Sequence, residues 1–574
     1  MPHGHRASFP PLSLAYLWML ISISMKLYEP STLFAVQKSE PEKAPAIMHL
    51  ILDVVHATIS RVFADNQSKL IAAALFVPAA LAFYWSVLRP TPTPFWRDHL
   101  DRIGVESHVK YPRTAIVCGA SVSGILTARA CADHFEKVIL VDSPGQAKTR
   151  SYQQEHVHAY LIFMLDVLAK FWPSFLREAE EVGGVRTPAD FQIHHGGIHI
   201  PAPHKAFPSG KLPETILLRR AGLDTLLQRL LGHQKNVEHY IGTVSRLLPS
   251  KEARNRLDSV IVRSPDGVEK TLKDIALVVD CTGGLQAGLK WLPEAGYTLP
   301  ENLRISYDPK TRYFTTTFTI SEELKSRLAI PGGYSANGCI YGFGADFAHG
   351  NTGFVITRMD NNTIMVCCFG WGKYEVPKTV DDIILHVQGV RGPGKVPTWV
   401  IELIEMLSNE AEHVCKSLRL SPCSFINYHT AADIPSNFIA VGDSCLQLNP
   451  AFGQGCSKAA IQVTALNALL DMSPQNGRRS SHLPDNFSHI FFKRSAEYFG
   501  PVWESTKAID YGHSTTTPVP GETLSQGGFI RWYMNELMLA AIHNVNVSLA
   551  MFEVQMFNAP GTTLISPGIL CYAY

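Results

Sequence analysis

The stretch Arg113-Thr-Ala-Ile-Val-Cys-Gly-Ala-Ser-Val-Ser-Gly124, followed by a helical pattern and then by Lys137-Val-Ile-Leu-Val-Asp142, constrains the fold more than any other part of the chain. An apolar run, a glycine turn, a helix and a second apolar run ending in a carboxylate describe a βαβ dinucleotide-binding unit. Gly119, Ser121 and Gly124 occupy the three fingerprint positions, with serine where the middle glycine is usual. Serine is small enough to let a pyrophosphate approach the helix N-terminus. Asp142, about 20 residues past the turn, stands where the acid that binds a ribose hydroxyl is expected.

A second arrangement of this kind lies far along the chain. Asn437-Phe-Ile-Ala-Val-Gly-Asp443 reads as a strand that delivers Gly442 and Asp443 to a ligand. Pro450, Gly453, Gln454 and Gly455 then form a glycine-rich turn that opens the helical segment Lys458 to Leu470. The first amides of such a helix attract anions. Between the two, Ile275-Ala-Leu-Val-Val-Asp-Cys-Thr-Gly-Gly284 reads as a buried parallel strand running into a further glycine turn. Arg220 sits at the junction of a short strand and the amphipathic helix ending at Leu231, where pattern alone reads equally as a surface charge or an anion contact. Two anion-receiving turns in one chain point to a long dinucleotide held at two places.

The remaining segments set the surroundings. Residues 237–279 read as hairpin strands, residues 307–368 as an antiparallel sheet, and residues 380–407 as helix broken between Gly389 and Pro397. His156 and His158 close the polar loop Lys148 to His158; their i, i+2 spacing would put both on one face were the segment a strand, and either is a weak candidate catalytic base or an ordinary solvated loop histidine. Charges nearly cancel, 51 basic against 50 acidic, so nothing draws the chain toward nucleic acid. The eleven cysteines show no metal-ligand spacing and read as reduced thiols; no metal site is expected.

Ahead of the βαβ unit the chain is strongly apolar. Leu70 to Leu88 is uncharged, flanked by Lys69 and Arg89, and about as long as a bilayer-spanning helix, the other reading being a buried or surface-lying helix. Residues 1–47 read as a signal-like segment or as an extension ahead of a start at Met48, and the prolines from Pro90 to Pro94 as a stiff linker. These divisions give an anchor and linker over 48–112, a dinucleotide domain over 113–296 and 431–472, a substrate-binding sheet over 297–430 and a helical region over 473–574. Residues 529–556 read as a core-packing helix, since Arg531, Glu536, His543 and Glu553 interrupt the apolar run.

Together Gly119-x-Ser121-x-x-Gly124 with Asp142, Arg220 ahead of a Leu-Asp helix, Gly442-Asp443 and Pro450-x-x-Gly453-Gln454-Gly455 resemble the FAD-dependent monooxygenases of the para-hydroxybenzoate hydroxylase type. The resemblance covers about Arg113 to Leu470. It implies a Rossmann-type α/β FAD-binding domain with an inserted mixed β-sheet substrate domain, to which this chain adds an N-terminal membrane helix and a C-terminal helical region. It also implies that the first glycine turn and Asp142 bind the ADP half of FAD, that Arg220 lies near the flavin side, that Asp443 holds the ribitol or pyrophosphate, and that the late turn lies by the isoalloxazine ring. The activity implied is hydroxylation or epoxidation of a lipophilic aromatic, polyketide or terpenoid by molecular oxygen through a flavin C4a-hydroperoxide. NADPH or NADH would supply electrons, directly or through a reductase, although the Asp-Gly fingerprint associated with direct use is missing. The Trp-x-Trp-x-x-Pro signature of flavin halogenases is absent too. The expected location is a single-pass anchor in the endoplasmic reticulum with a cytoplasmic catalytic domain. Two rivals remain: a flavin-dependent reductase of the geranylgeranyl-reductase type, and a membrane-tethered flavin-binding protein without turnover.

Overall fold

The computed structural model describes residues 94–143, 154–336, 338–345, 348–472 and 480–572. The chain forms two units, one of residues 1–92 and 565–571 and one of residues 93–564 and 572–574. In the first, the described part is a short helix, Pro567–Leu570. The second carries the rest.

The apolar runs around the fingerprint form a five-stranded parallel sheet. Its strands are β1 (Tyr111–Cys118), β2 (Phe135–Asp142), β3 (Val237–Ile241), β4 (Ile275–Asp280) and β5 (Phe438–Ala440), in the order β5-β4-β1-β2-β3. All six residues of β4 and all three of β5 are buried, as expected of parallel strands covered on both faces. After β1 the chain moves outward through β2 to β3, then returns to the other side of β1 with β4 and β5. That reversal leaves a crevice at the carboxyl ends of β1 and β4, the place where open α/β sheets bind ligands.

Helices α1 (Val122–His134) and α3 (Gly455–Asp471) pack against each other beside this sheet, both buried on nearly every side. Helix α2 (Arg220–Leu231) presents Leu223, Leu226, Leu227 and Leu230 to the same core, and α4 (Phe487–Asp510) adds Phe491, Phe499 and Trp503. The seven-stranded sheet is mixed. Its order is Glu412–Arg419, Thr311–Thr319, Thr363–Trp371, Thr352–Met359, Ile340–Gly344, Phe191–His195 and Ile198–Ile200. One pair, Ile340–Gly344 with Phe191–His195, is parallel. Phe314, Phe318, Phe354 and Val366 on one face bury the apolar sides of helices Asp381–Gly389 and Thr398–Glu410. Strand alternation therefore turns Tyr313, Thr315 and Thr317 to the opposite face.

Several local expectations change. Val237–Ile241 is a parallel edge strand; only Thr243–Pro249, Leu257–Arg263 and Glu269–Lys273 form the antiparallel group. The middle sheet also takes strands from residues 191–200, which the pattern did not announce. The apolar 529–556 segment is two helices, Gly528–His543 and Val545–Gln555, divided at Asn544, whose side chain accepts from the Asn546 and Val547 amides at 2.9 and 3.3 Å. The proposed membrane helix at 70–88 lies outside the described residues; among those described, no helix is long and apolar enough to cross a membrane. Every described cysteine is free.

Candidate functional site

The first turn is shaped by two glycines that cannot be replaced. Gly119 has φ +109°, and a Cβ there would lie 2.4 Å from the Cys281 carbonyl oxygen beyond β4. A Cβ on Gly124 would lie 1.7 Å from the Gly119 carbonyl oxygen. Removing both methylene positions lets α1 begin directly on β1, with its first amides at the crevice. Ser121 is the N-cap residue yet makes no capping hydrogen bond. Its Oγ instead accepts from Nη2 of Arg220 at 2.9 Å. The Asp142 carboxylate closes the turn from β2, accepting from the Ala120 amide at 3.2 Å.

Arg220 opens α2 and is 6% exposed. Its Nε donates to Asp224 Oδ1 at 2.7 Å, one helical turn on, and Nη1 lies 3.7 Å from Cys456 Sγ at the start of α3. Burial works against its charge, and the Asp224 carboxylate one turn along the helix opposes that, so the guanidinium stays protonated. Gln154 Nε2 donates to the second Asp224 oxygen at 3.0 Å. One buried cation thus touches both glycine turns.

The second turn is built on α3. Gly442 has φ +74°, and a Cβ there would meet Ser123 of α1 at 2.9 Å, so the β5 exit rests on the first turn of α1. Asp443 Oδ1 receives Lys458 Nζ at 2.5 Å, and the same ammonium donates to the Leu446 carbonyl. Lys458 is 1% exposed whereas a third of the Asp443 side chain remains open. Gly453 adopts φ +66°, and around Gly455 a Cβ would meet nothing within 4 Å. Gln454, the N-cap of α3, makes no side-chain cap, and its buried Oε1 has no hydrogen-bond partner. Two uncapped helix N-termini, open space at Gly455 and an orphaned buried carbonyl form a cradle for an elongated anionic ligand with a hydrogen-bonding far end.

Asp280, at the end of β4, is fully buried and organises the loops between the turns. Its Oδ1 accepts from the Thr282 amide and hydroxyl and from Ser444 Oγ at 2.9, 2.7 and 2.9 Å, and its Oδ2 from the Gly288 amide at 2.7 Å. Burial raises its pKa and these donors oppose the rise. Gly283 donates to Ser444 Oγ at 2.8 Å, tying the β4 loop to the Gly442-Asp443 loop.

The two histidines do not share a strand face, because residues 156–160 lie outside any strand. His156 is buried, with Nδ1 2.7 Å from the Thr315 hydroxyl on the middle sheet. Burial lowers its pKa to about 4, so the ring is neutral at pH 7. His158 is half-buried and lies one residue before Ala159, whose Cβ is the nearest atom to a Cβ built at Gly453, at 3.7 Å. An open cavity of about 1040 Å³ lies beside Glu155, bounded by Thr317 and Thr319 of the sheet and by Arg219, Asp360 and Lys416. Among the described residues no group of three or more metal-ligating side chains converges.

Spacing alone did not single out Lys458, Asp224, Ser444 or Asn449. Lys458 carried a signal, a lone charge in the otherwise uncharged helix Gly455 to Leu470. Asp224 carried one too, as the acid of the Leu-Asp pair one helical turn after Arg220, whereas the partners of Ser444 at Asp280 and of Asn449 at Asp510 are distant in sequence.

A parallel sheet with a crevice at its strand reversal, two glycine-opened helices and a mixed sheet alongside define an α/β protein of the doubly wound kind. No family model matches the chain. A curated relative, Protein Rv3254 of Mycobacterium tuberculosis, is 22% identical over 426 residues, covering 71% of this chain and 82% of its own length. Solved structures similar to the chain include p-nitrophenol 4-monooxygenase PnpA from Pseudomonas putida, 16% identical with a TM-score of 0.48 over 79% of this chain and 99% of its own. A flavoprotein/dehydrogenase from Cytophaga hutchinsonii is 12% identical with a TM-score of 0.49 over 80% and 95%. The flavin-dependent brominase Bmp2 is 14% identical with a TM-score of 0.47 over 78% and 98%.

Proposed function

We propose that the chain is an FAD-dependent monooxygenase that hydroxylates or epoxidises a lipophilic aromatic, polyketide or terpenoid, tethered to a membrane by its N-terminal apolar segment. The observation that carries this reading is the pair of uncapped, glycine-opened helices, α1 and α3, bridged by buried Arg220. A mononucleotide would use one turn; a dinucleotide with an adenosine end and a ring end uses both. In this reading Gly119, Ser121, Gly124 and Asp142 receive the adenosine half. Arg220 lies near the flavin side, Asp443 turns its open oxygen to the ribitol or pyrophosphate, and Gly453, Gln454 and Gly455 face the ring.

Bound flavin, once reduced by NADPH or NADH directly or through a reductase, supplies the oxygen-activating chemistry. The protein's part is to orient, to exclude water and to move a proton. The amides opening α3 favour negative charge at the ring end. His156, held by Thr315, is the candidate base for a phenolic substrate, its basicity weakened by the burial that lowers its pKa to about 4, whereas epoxidation requires no protein base. The anchor motivates a lipophilic substrate, because a tethered enzyme meets compounds that partition into lipid. The same proposal puts the anchor in the endoplasmic reticulum with the catalytic unit on the cytoplasmic side.

The deciding measurement is oxygen consumption by the purified, FAD-loaded chain with an electron donor, set against oxygenated product. Matching stoichiometry is expected. Anaerobic reduction of an alkene would replace this reading with a reductase, and a flavin that no donor reduces and oxygen does not reoxidise would leave a binding protein.

A further inference from the structure

The last residue of α4, Asp510, is fully buried, and among the described residues no ion pair reaches its carboxylate. Three donors from three separate elements converge on its carboxylate. Trp371 Nε1, at the end of a middle-sheet strand, donates to Oδ1 at 2.8 Å, Asn449 Nδ2 donates to Oδ1 at 2.9 Å, and Tyr307 OH donates to Oδ2 at 2.7 Å. Asn449 is the residue that starts the late glycine turn. Its Oδ1 accepts from the Ala451 amide at 3.1 Å, and its Nδ2 also reaches Thr311 Oγ1 at 3.2 Å. Replacing a carboxylate here by an apolar group would orphan two side-chain donors and loosen the cap of the turn.

We propose that Asp510 is a positioning residue of the cofactor site, holding the Pro450–Gly453 turn in register with the seven-stranded sheet through Asn449, so that the end of α4 completes the ring end of the site. This rests on the flavin reading above. The carboxylate charge makes all three hydrogen bonds charge-assisted, roughly doubling the strength of each. Protonation would claim one acceptor position and reduce the Asn449 bond to an ordinary one. Burial raises Asp510 to about 6, against the three donors that lower it, which places that change inside an accessible pH range.

The groups facing it do not titrate there. Burial raises the Tyr307 and Tyr313 phenols and the Cys423 thiol, and lowers His513, stacked on Trp371 at 4.3 Å, to about 4. A change in the turn near pH 6 is therefore assigned to Asp510.

The test is the visible circular dichroism of FAD bound to the full chain between pH 5 and 8, with FAD content measured at each pH. Wild type should show a transition with a midpoint near 6. Asp510→Asn should bind FAD and show no transition, its spectrum matching the wild-type acid form. Tyr307→Phe, which removes one donor from the carboxylate, should move the midpoint upward. FAD-bound Asp510→Asn with the wild-type transition overturns the proposal, and so does a Tyr307→Phe midpoint that stays in place should Asp510→Asn not fold. A wild-type chain that takes up no FAD sinks the functional reading and this proposal with it, an outcome distinct from either.

Discussion

The guanidinium of Arg220 donates to the hydroxyl of Ser121 across 2.9 Å, joining the start of α2 to the start of α1. Serine at the usual middle-glycine position is therefore an acceptor for the one buried cation that also reaches Cys456 at the second turn. Ser121→Ala deletes that acceptor while leaving the backbone path intact. It should weaken FAD retention by about 1–2 kcal/mol, roughly tenfold in Kd. Flavin fluorescence titration checks this, and an unchanged Kd would remove Ser121 from the site.

Gly124 and Gly455 should respond oppositely to the same methyl group. Gly124→Ala places a Cβ 1.7 Å from the Gly119 carbonyl and should prevent soluble folded protein from accumulating. Gly455→Ala meets open space in the absence of ligand, so the melting temperature of the apoprotein should be kept while FAD content falls. Paired thermal melts and flavin assays separate the two. Equal FAD content in Gly455→Ala and wild type would show that the ring does not lie against α3.

Lys458→Met removes an ammonium that is 1% exposed from Asp443 and from the Leu446 carbonyl. The loss should be about 3 kcal/mol, the lower end for breaking a buried pair because Asp443 is partly open to water. Asp443→Asn combined with Lys458→Met should recover part of it. Urea denaturation of the two variants measures the coupling.

Stability should fall with acid through two histidines. Burial lowers both His156 and His513 to about 4, so their contribution is fully present above pH 6.5 and is lost as the pH falls through about 4. Each is worth on the order of a few kcal/mol. Asp510 acts in the opposite sense: its folded value is raised from 3.8 to about 6, so its contribution is present below pH 3.8 and lost as the pH rises through about 6. Unfolding free energies at pH 4, 5.5 and 7.5 should show a shallower acid limb in His156→Gln than in wild type.

Membrane attachment is tested by comparing the full chain with a form beginning at Thr93. The full chain should sediment with membranes, and the shorter form should stay in the supernatant with its FAD. A full chain that stays in the supernatant as well would refute the anchor.

Much of the parallel-sheet half was legible because its determinants are local. Gly119, Gly124, Gly442 and Gly453 mark turns whose backbone only glycine adopts easily or whose neighbours leave no room for a Cβ, and β1, β2, β4 and β5 are short apolar runs bounded by those turns. His156 and His158 lie in the polar segment that the sequence showed as loop, but two residues of spacing did not reveal that folding buries His156 against Thr315. The contribution of 191–200 to the middle sheet escaped notice because hydrogen bonding to 340–344 joins segments some 150 residues apart.

The sequence by itself determined where the chain turns and which helices open on glycine, because sterics at a missing Cβ act within a few residues. Only the tertiary structure decided what the charges do. Arg220 was equally readable as a surface charge until folding buried it between Ser121, Asp224 and Cys456. Asp510, lying in a stretch with no motif, acquired three donors from residues 61 to 203 positions away. A buried charge must find partners wherever the fold brings them, and no local pattern records that requirement.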